Sequence, residues 1–155
     1  MSQSIIAEPP ADSDPMLAKS DSRQRPRVLV VEDNGDMREF LARVLSMQGY
    51  EFLEAADGEE GLQVARTRQP NLILMDISLP VLDGFEATRR IKQDPALQHI
   101  PVIAVTAHAR PADEQRALDA GCDGYLSKPY SLRDFLAVVE KNIGRTQAPD
   151  RTTVA

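Results

Sequence analysis

The stretch LILMD at residues 72–76 decides the fold, because four apolar residues lead directly to a carboxylate. The pattern occurs twice more, in VLVVED at residues 28–33 and in VIAVT at residues 102–106. Fully apolar runs of this length between helical segments are typical of parallel strands that helices cover on both faces. Ligands of such sheets bind beyond the carboxyl ends of the strands. Four oxygen-bearing side chains are therefore expected to converge there: Glu32, Asp33, Asp76 and Thr106.

The remaining pattern predicts an α/β fold in which five strands alternate with five helices. Strands are expected near residues 27–31, 51–55, 71–75, 101–105 and 124–127. Two helices are predicted from core-facing stripes, one of Met37, Phe40, Leu41, Val44 and Leu45, the other of Leu132, Phe135, Leu136, Val139 and Ile143. Ser131 is the expected N-cap of the last helix, and Gly144 its expected end through a left-handed cap.

Length and composition predict one folded domain with unordered ends. The 155 residues suffice for a single core. Residues 1–26 are rich in Pro, Ser, Asp and Ala, which predicts a disordered leader. Residues 27–144 form the predicted domain, and residues 145–155 a flexible tail.

Charge and cysteine content exclude several classes of function. The net charge is -6, whereas binding to nucleic acid requires clustered Lys and Arg, so direct nucleic-acid binding is not expected. Cys122 is the single cysteine and is interpreted as a small apolar residue in a reducing compartment. No apolar run approaches the roughly 20 residues that span a bilayer, so we expect a cytoplasmic protein without membrane insertion. Arg89, Arg90 and Lys92 are interpreted as the solvated face of a helix.

The predicted carboxylate cluster favours a hard cation. Three carboxylates repel one another at close range unless a positive group lies between them. Mg²⁺ prefers oxygen ligands and keeps several waters, so Asp33 and Asp76, with Glu32 acting through a water, would suffice. Lys128 follows the last predicted strand and brings an ammonium to the same edge. A carboxylate nucleophile, Mg²⁺, a lysine and the Thr106 hydroxyl together predict a phosphoryl-transfer site.

These motifs resemble the receiver domain of two-component response regulators. The resemblance rests on Glu32-Asp33, the segment DISLP at residues 76–80 leading to Asp83-Gly84, the VTA step at residues 105–107, and Lys128-Pro129. It extends over about residues 27–143. It implies a doubly wound, flavodoxin-like parallel sheet of order 2-1-3-4-5, like that of the chemotaxis regulator, single-domain and stand-alone.

The resemblance also implies roles for individual residues. Asp76 would be the phosphoacceptor, and Glu32, Asp33, Asp76 and the backbone carbonyl of Ile77 would hold Mg²⁺. The phosphoryl oxygens would be contacted by Thr106 and Lys128, and Lys128-Pro129 would be a cis peptide. The remaining implied roles are those of an aromatic switch, Tyr125, and of two residues that tune phosphoryl lifetime, Ser78 and His108. His108 read alone is equally well a solvent-facing loop residue, and Tyr125 a half-buried packing aromatic.

The implied partners are a histidine kinase or a histidine phosphotransfer protein as donor, and a downstream protein target. The chain would be a phosphorelay shuttle or an allosteric binding partner, would catalyse only its own phosphorylation and dephosphorylation, and could form a homodimer. A pseudo-receiver that binds proteins without phosphorylation is the alternative. A phosphohydrolase of the haloacid dehalogenase type needs a second aspartate where Ser78 stands. A flavin or nucleotide carrier lacks support because no glycine-rich turn follows the first strand.

Overall fold

The computed structural model describes residues 25–107 and 110–146, in which strands and helices alternate. The strands are β1 (Arg27–Val31), β2 (Glu51–Ala55), β3 (Leu72–Asp76), β4 (Val102–Thr106) and β5 (Gly124–Ser127). The helices are α1 (Gly35–Met47), α2 (Gly58–Arg68), α3 (Gly84–Gln93), α4 (Pro111–Ala120) and α5 (Leu132–Thr146). The predicted leader, apart from its last two residues, most of the predicted tail, and His108 lie outside the described residues.

The five strands form one parallel sheet in the order β2-β1-β3-β4-β5, which confirms the predicted fold class and order. β3 is the central strand, with Met75 opposite Val31 on one side and Asp76 opposite Val105 on the other. Strands β3 and β4 begin and end one residue later than predicted. Asp76 and Thr106 are therefore the last residues of their strands, because ladder pairing continues through them.

Helices cover both faces of the sheet. Helices α1 and α5 pack on one face over a core that contains Val30, Leu45 and Phe135. Helices α2, α3 and α4 pack on the other face, where Phe85 and Ile91 are buried. Because every residue of β3 and β4 is buried, these strands require the fully apolar runs from which they were predicted. No helix in the described part of the chain has the length and apolar character needed to cross a membrane.

Two residues of the predicted core-facing stripes were assigned wrongly. Leu41 and Leu45 are buried as expected, but the Phe40 side chain is 51% exposed. Helix α1 packs along the line of Leu41 and Leu45, and Phe40 lies about 100° around the helix from Leu41, outside the contact. Leu132, the first residue of α5, is 46% exposed.

Lys92 is not part of a solvated helix face, which corrects its predicted role. Its Nζ donates hydrogen bonds to the carbonyl oxygens of Ile100 (2.7 Å) and Gln98 (3.2 Å) and to Asp123 Oδ2 (2.9 Å). The same Asp123 oxygen accepts the Val102 N–H at 2.9 Å. A lysine near a helix end can satisfy free carbonyls in this way. Lys92 thus connects α3, the start of β4 and the turn before β5.

The predicted N-cap of the last helix is confirmed, whereas its predicted C-terminal end is wrong. The predicted Ser131 cap is confirmed, since its Oγ accepts the Asp134 N–H at 3.0 Å. Asn34, Asp57 and Asp83 cap α1, α2 and α3 in the same way. Gly144 does not end α5, which continues to Thr146. A glycine inside a helix lowers helix stability by only about 1 kcal/mol relative to alanine, so Gly144 does not by itself end the helix.

Val81 has a backbone conformation that its side chain disfavours. Its φ is +68°, in the left-handed region, and 82% of the residue is exposed. A β-branched residue with this φ is an outlier, and the left-handed conformation costs about 1–2 kcal/mol for residues with a Cβ. The strained residue lies in the segment between β3 and α3, directly beside the site described below.

We expect Val81→Asn to raise the free energy of unfolding by about 1 kcal/mol, because asparagine tolerates the left-handed region and the lost side chain makes little packing contact. Urea denaturation at constant slope would measure the change. Val81→Ala is the matched control: it removes the branch but keeps a Cβ, and should gain less. Equal stability of the wild type and Val81→Asn would contradict the assignment of strain.

Candidate functional site

The expected convergence of side chains at the carboxyl edge of the sheet is observed. Glu32 and Asp33 follow β1, and Asp76 ends the adjacent β3. Thr106 ends β4 opposite Ser127, and the backbone N–H of Lys128 donates to the Thr106 carbonyl at 2.6 Å. The carboxylate oxygens of Glu32, Asp33 and Asp76 include one set whose members all lie within 4.8 Å of one another.

Lys128 lies between two of these carboxylates. Its Nζ is 3.3 Å from Glu32 Oε1 and 3.3 Å from Asp76 Oδ2. Glu32 and Asp76 are both 6% exposed, whereas Asp33 is exposed. The other oxygens of the two buried carboxylates accept backbone N–H groups: Ser78 N–H bonds Asp76 Oδ1 at 3.0 Å, and Asn34 N–H bonds Glu32 Oε2 at 3.1 Å. In the described part of the chain, one ammonium therefore pairs with two of the three clustered carboxylates.

The pKa shifts of the site reflect this imbalance. Burial is the largest effect on Glu32 and raises its pKa, and the negative charge of Asp76 raises it further. The Asn34 N–H and Lys128 lower the pKa of Glu32, but the net shift is upward. Burial lowers the pKa of Lys128, but the charges of Asp76 and Glu32 outweigh it, so that the net shift is upward. Lys128 is therefore firmly protonated, while the buried Glu32 remains under-compensated.

The cluster fits a hard divalent cation. All of its donors are carboxylate oxygens, and the oxygens around an octahedral Mg²⁺, about 2.0–2.1 Å from the ion, lie roughly 3–4 Å from one another. The spacing within 4.8 Å is close to that requirement. Asp33 is exposed, as suits a ligand that faces an ion with a water shell. Glu32, Asp33 and Asp76 could hold such an ion, and the Ile77 carbonyl, which directly follows Asp76 in the chain, stays a predicted further ligand.

The loop after Asp76 is packed tightly against it. A Cβ on Gly84 would collide with the Asp76 carbonyl oxygen, so only glycine allows α3 to begin this close to β3. Gly84 N–H donates to the Ile77 carbonyl at 3.2 Å, which leaves that oxygen a second lone pair. Ser78 is exposed and contributes its backbone N–H to Asp76. The loop thus fixes both the carboxylate and the neighbouring carbonyl.

Two further predicted residues lie near this edge in different surroundings. Thr106 is 5% exposed at the end of β4. Tyr125, on β5 opposite Ala104, is partly buried against the core that α2, α3 and α4 cover. Tyr125 therefore packs on the opposite face of the sheet from α1 and α5. Since His108 falls outside the described residues, its proximity to Asp76 stays a prediction.

A groove beside the site was not predicted from the sequence. Its volume is about 360 Å³, and its walls come from α1, from the Lys128-Pro129 turn and from the start of α5. The lining residues are Met37, Phe40, Lys128, Pro129, Tyr130 and Leu132. Helical spacing placed Phe40 and Leu132 in the core, although Phe40 lies at the angular edge of its stripe and Leu132 is the first residue of its helix. The groove reaches the site through Lys128.

Tyr130, which lines this groove, is a residue of the site that was not predicted from the sequence. Its ring stacks on Phe135 with the centroids 5.6 Å apart and an angle of 20° between the planes. Burial raises the pKa of the Tyr130 hydroxyl; Lys128 opposes this shift, and Glu32 and Asp76 add to it. Tyr130 thus joins the core under α5 to the edge of the charged cluster. An aromatic two positions after a functional lysine gave no indication of this in the sequence.

Comparison with known proteins decides the family. The sequence profile of the response regulator receiver domain matches residues 28–140. The chain belongs to the response regulator receiver family. Lys128-Pro129, which the resemblance implied would be cis, is a cis peptide in this receiver domain.

Relatives and solved structures agree with this assignment. The polar-differentiation response regulator DivK of Brucella anthropi is 43% identical over 117 residues, covering 76% of this chain and 95% of DivK. Chemotaxis protein CheY4 of Vibrio cholerae is 28% identical, with a TM-score of 0.72 over 76% of this chain and 98% of CheY4. A third similar structure is the receiver domain of a sensor histidine kinase of Pseudomonas aeruginosa, solved with a magnesium ion in the active-site cleft of that domain. It is 35% identical, with a TM-score of 0.72 over 77% of this chain and 98% of that domain.

We expect Glu32→Gln to raise the free energy of unfolding in the absence of divalent cations, because the substitution removes a buried charge that Lys128 leaves under-compensated. The same change should reduce the stabilisation by added Mg²⁺, since one carboxylate of the cluster is lost. Thermal unfolding with chelator and with Mg²⁺ would give both values. Exposed Glu140→Gln is the matched control and should alter neither. A Glu32→Gln protein that is less stable in chelator would contradict the charge imbalance.

Proposed function

We propose that this receiver domain is a stand-alone response regulator that accepts a phosphoryl group on Asp76 from a phosphohistidine donor and thereby changes its protein-binding surface. The observation that carries the proposal is the Asp76 carboxylate, buried at the end of the central strand with Lys128 Nζ 3.3 Å away and two further carboxylates beside it. DivK, of which this chain covers 95%, is named a response regulator, which supports the stand-alone role.

The proposed transfer uses the residues of the cluster. An Asp76 carboxylate oxygen attacks the phosphorus of the phosphohistidine, a P–O bond forms, the P–N bond breaks, and the imidazole leaves. Mg²⁺ held by Glu32, Asp33, Asp76 and the Ile77 carbonyl would neutralise negative charge on the transferring group. Lys128 supplies a fixed positive charge, and the Ser78 N–H keeps the carboxylate oriented. The Thr106 hydroxyl would bind a phosphoryl oxygen.

Phosphorylation is proposed to act as a switch. The phosphoryl group adds negative charge and acceptor oxygens beside Lys128 and Thr106. A shift of Thr106 toward it would alter the packing of Tyr125, and with it the surface formed by α4, β5 and α5. The equilibrium moves only as far as the group is bound differently in the two states. Ser78 and His108 would set how long the acyl phosphate lasts.

The proposed role fits a protein that acts through partners rather than on a metabolite. The donor would be a histidine kinase or a histidine phosphotransfer protein, and the output a downstream protein, both encountered in the cytoplasm. Self-catalysed phosphorylation and dephosphorylation would be its own reactions. The arrangement does not favour a phosphohydrolase, because Ser78 stands where the second aspartate would be required and contacts Asp76 through its backbone. Pairing of two copies would be an additional property.

We expect incubation with Mg²⁺ and phosphoramidate to add one phosphate-sized increment to the intact mass of the wild type. Asp76→Asn should show no adduct, because the nucleophilic oxygen is replaced by an amide. Asp83→Asn is the matched control: it retains Asp76 and preserves a side-chain acceptor for the α3 cap, so it should be modified like the wild type. A wild type that stays unmodified with every donor would favour the pseudo-receiver instead.

The groove beside Lys128 is proposed as the surface through which a donor protein approaches Asp76. It combines exposed apolar side chains, Phe40 and Leu132, with direct access to Lys128. A protein partner that buries this groove would bring its phosphohistidine to the carboxylate edge. A small donor such as phosphoramidate has no need of the groove.

We therefore expect Phe40→Ser to slow transfer about tenfold from a phosphorylated histidine phosphotransfer domain that phosphorylates the wild type, through loss of apolar burial. The rate with phosphoramidate should not change. Met47→Ser, on the same helix, is the matched control, since Met47 is 82% exposed and does not line the groove. Equal slowing with both donors would indicate damage to the site instead of loss of a docking surface.

A further inference from the structure

Arg38 makes two contacts beside the acidic cluster that no predicted role explains. Its Nη1 donates to the backbone carbonyl of Glu32 at 2.7 Å, and its Nε donates to Glu54 Oε1 at 2.8 Å. The Arg38 side chain is 22% exposed, although it lies on the first turns of a surface helix. Glu54 lies on the edge strand β2 opposite Val30, so the guanidinium joins α1 to two strands.

Arg38 binds a residue, Glu32, whose backbone and side-chain polar groups all have hydrogen-bond partners. The Glu32 N–H donates to the Ala55 carbonyl at 3.0 Å, and Glu32 Oε2 accepts the Asn34 N–H at 3.1 Å. The Glu32 carbonyl, which accepts from Arg38, belongs to the peptide plane that leads into Asp33. This plane and the next one, whose Asn34 N–H bonds Glu32 Oε2, flank the Asp33 Cα, so holding both fixes the direction in which the Asp33 side chain leaves the backbone. Asp33 itself is exposed, so the packing around its carboxylate does little to orient it.

We propose that Arg38 is a positioning residue for the metal site, which acts by holding the peptide between Glu32 and Asp33 so that the Asp33 carboxylate faces the cation. The inference rests on the proposed function only in that the cation is the Mg²⁺ assigned to this cluster. Glu54 is part of the arrangement, because it fixes the guanidinium from the side opposite the cluster. Partners outside the ligand set commonly control metal affinity in this way.

Electrostatics alone predicts the opposite effect. A guanidinium near a cation site repels the cation, so removal of the Arg38 charge would strengthen Mg²⁺ binding. Positioning predicts weaker binding, because Asp33 loses its fixed orientation. Exchange of arginine for lysine separates the two effects further: the charge stays, but the planar fork that reaches both the Glu32 carbonyl and Glu54 is lost. Any loss of affinity in Arg38→Lys therefore comes from geometry.

The test is a titration of the full chain with Mg²⁺. Calorimetry measures the affinity, and the amide chemical shifts of residues at the carboxyl edge report where the ion binds. We expect about a tenfold weaker affinity for Arg38→Met, and a smaller loss in the same direction for Arg38→Lys. Arg43→Met is the matched control, since it removes an arginine of the same helix whose pair with Glu39 at 3.2 Å is fully on the surface. Its affinity should equal that of the wild type.

The phosphorylation rate, measured at low and at saturating Mg²⁺, makes the result decisive. Phosphorylation by phosphoramidate should be slow in Arg38→Lys at low Mg²⁺ and return to the wild-type rate at saturating Mg²⁺, as for a defect in cation binding alone. Unchanged or tighter Mg²⁺ binding in Arg38→Lys would overturn the inference, as would a slow rate that saturating Mg²⁺ does not restore. Mg²⁺ affinity is measured without phosphorylation, so failure of Asp76 to accept phosphate would count against the proposed function and leave this test intact.

Discussion

The fold brings three carboxylates to one edge of its sheet, and among the described residues a single ammonium pairs with two of them. Lys128 contacts Glu32 and Asp76, but Asp33 adds a third carboxylate nearby. Much of the surrounding structure serves to keep this arrangement in place: backbone N–H groups bind the carboxylates, Gly84 allows α3 to begin against Asp76, and the turn before α5 positions the lysine. The electrostatics of a site built in this way are sensitive to any change in its charge.

The sequence predicted the sheet and its functional edge because both depend on local patterns. Apolar runs that must be buried on two faces are short, nearly uninterrupted and easy to distinguish from amphipathic helices, and the residues at their ends share one edge by topology alone. Asp76 and Thr106 could be located to within one residue for this reason. The strand order came from family resemblance, since the pattern of runs does not specify which strands are neighbours.

The side-chain exposures and contacts that were not predicted from the sequence depend on how the helices pack against the sheet. Phe40 and Leu132 have the spacing of core residues, yet the packing line of α1 and the position of Leu132 at the start of α5 leave them exposed beside Lys128. Arg38 and Lys92 are similar cases. Both were indistinguishable from the other charged residues of surface helices, and both bind backbone carbonyls outside their own helix, 6 and 8 residues away in the chain. A helical pattern indicates which residues share a face, and does not indicate which of them reach a neighbour.

The contacts of Lys92 and Asp123 have a mechanical consequence for strand β4. They hold the first residue of that strand, Val102, through its N–H and its carbonyl, at the edge of the sheet opposite the carboxylates. The last residue, Thr106, lies 4 positions further on, at the charged edge. Because both backbone polar groups of its first residue are held by Asp123, β4 has less freedom to shift at Val102 than at Thr106. A change of charge at the carboxylates therefore has more room to move the carboxyl end of this strand than its beginning.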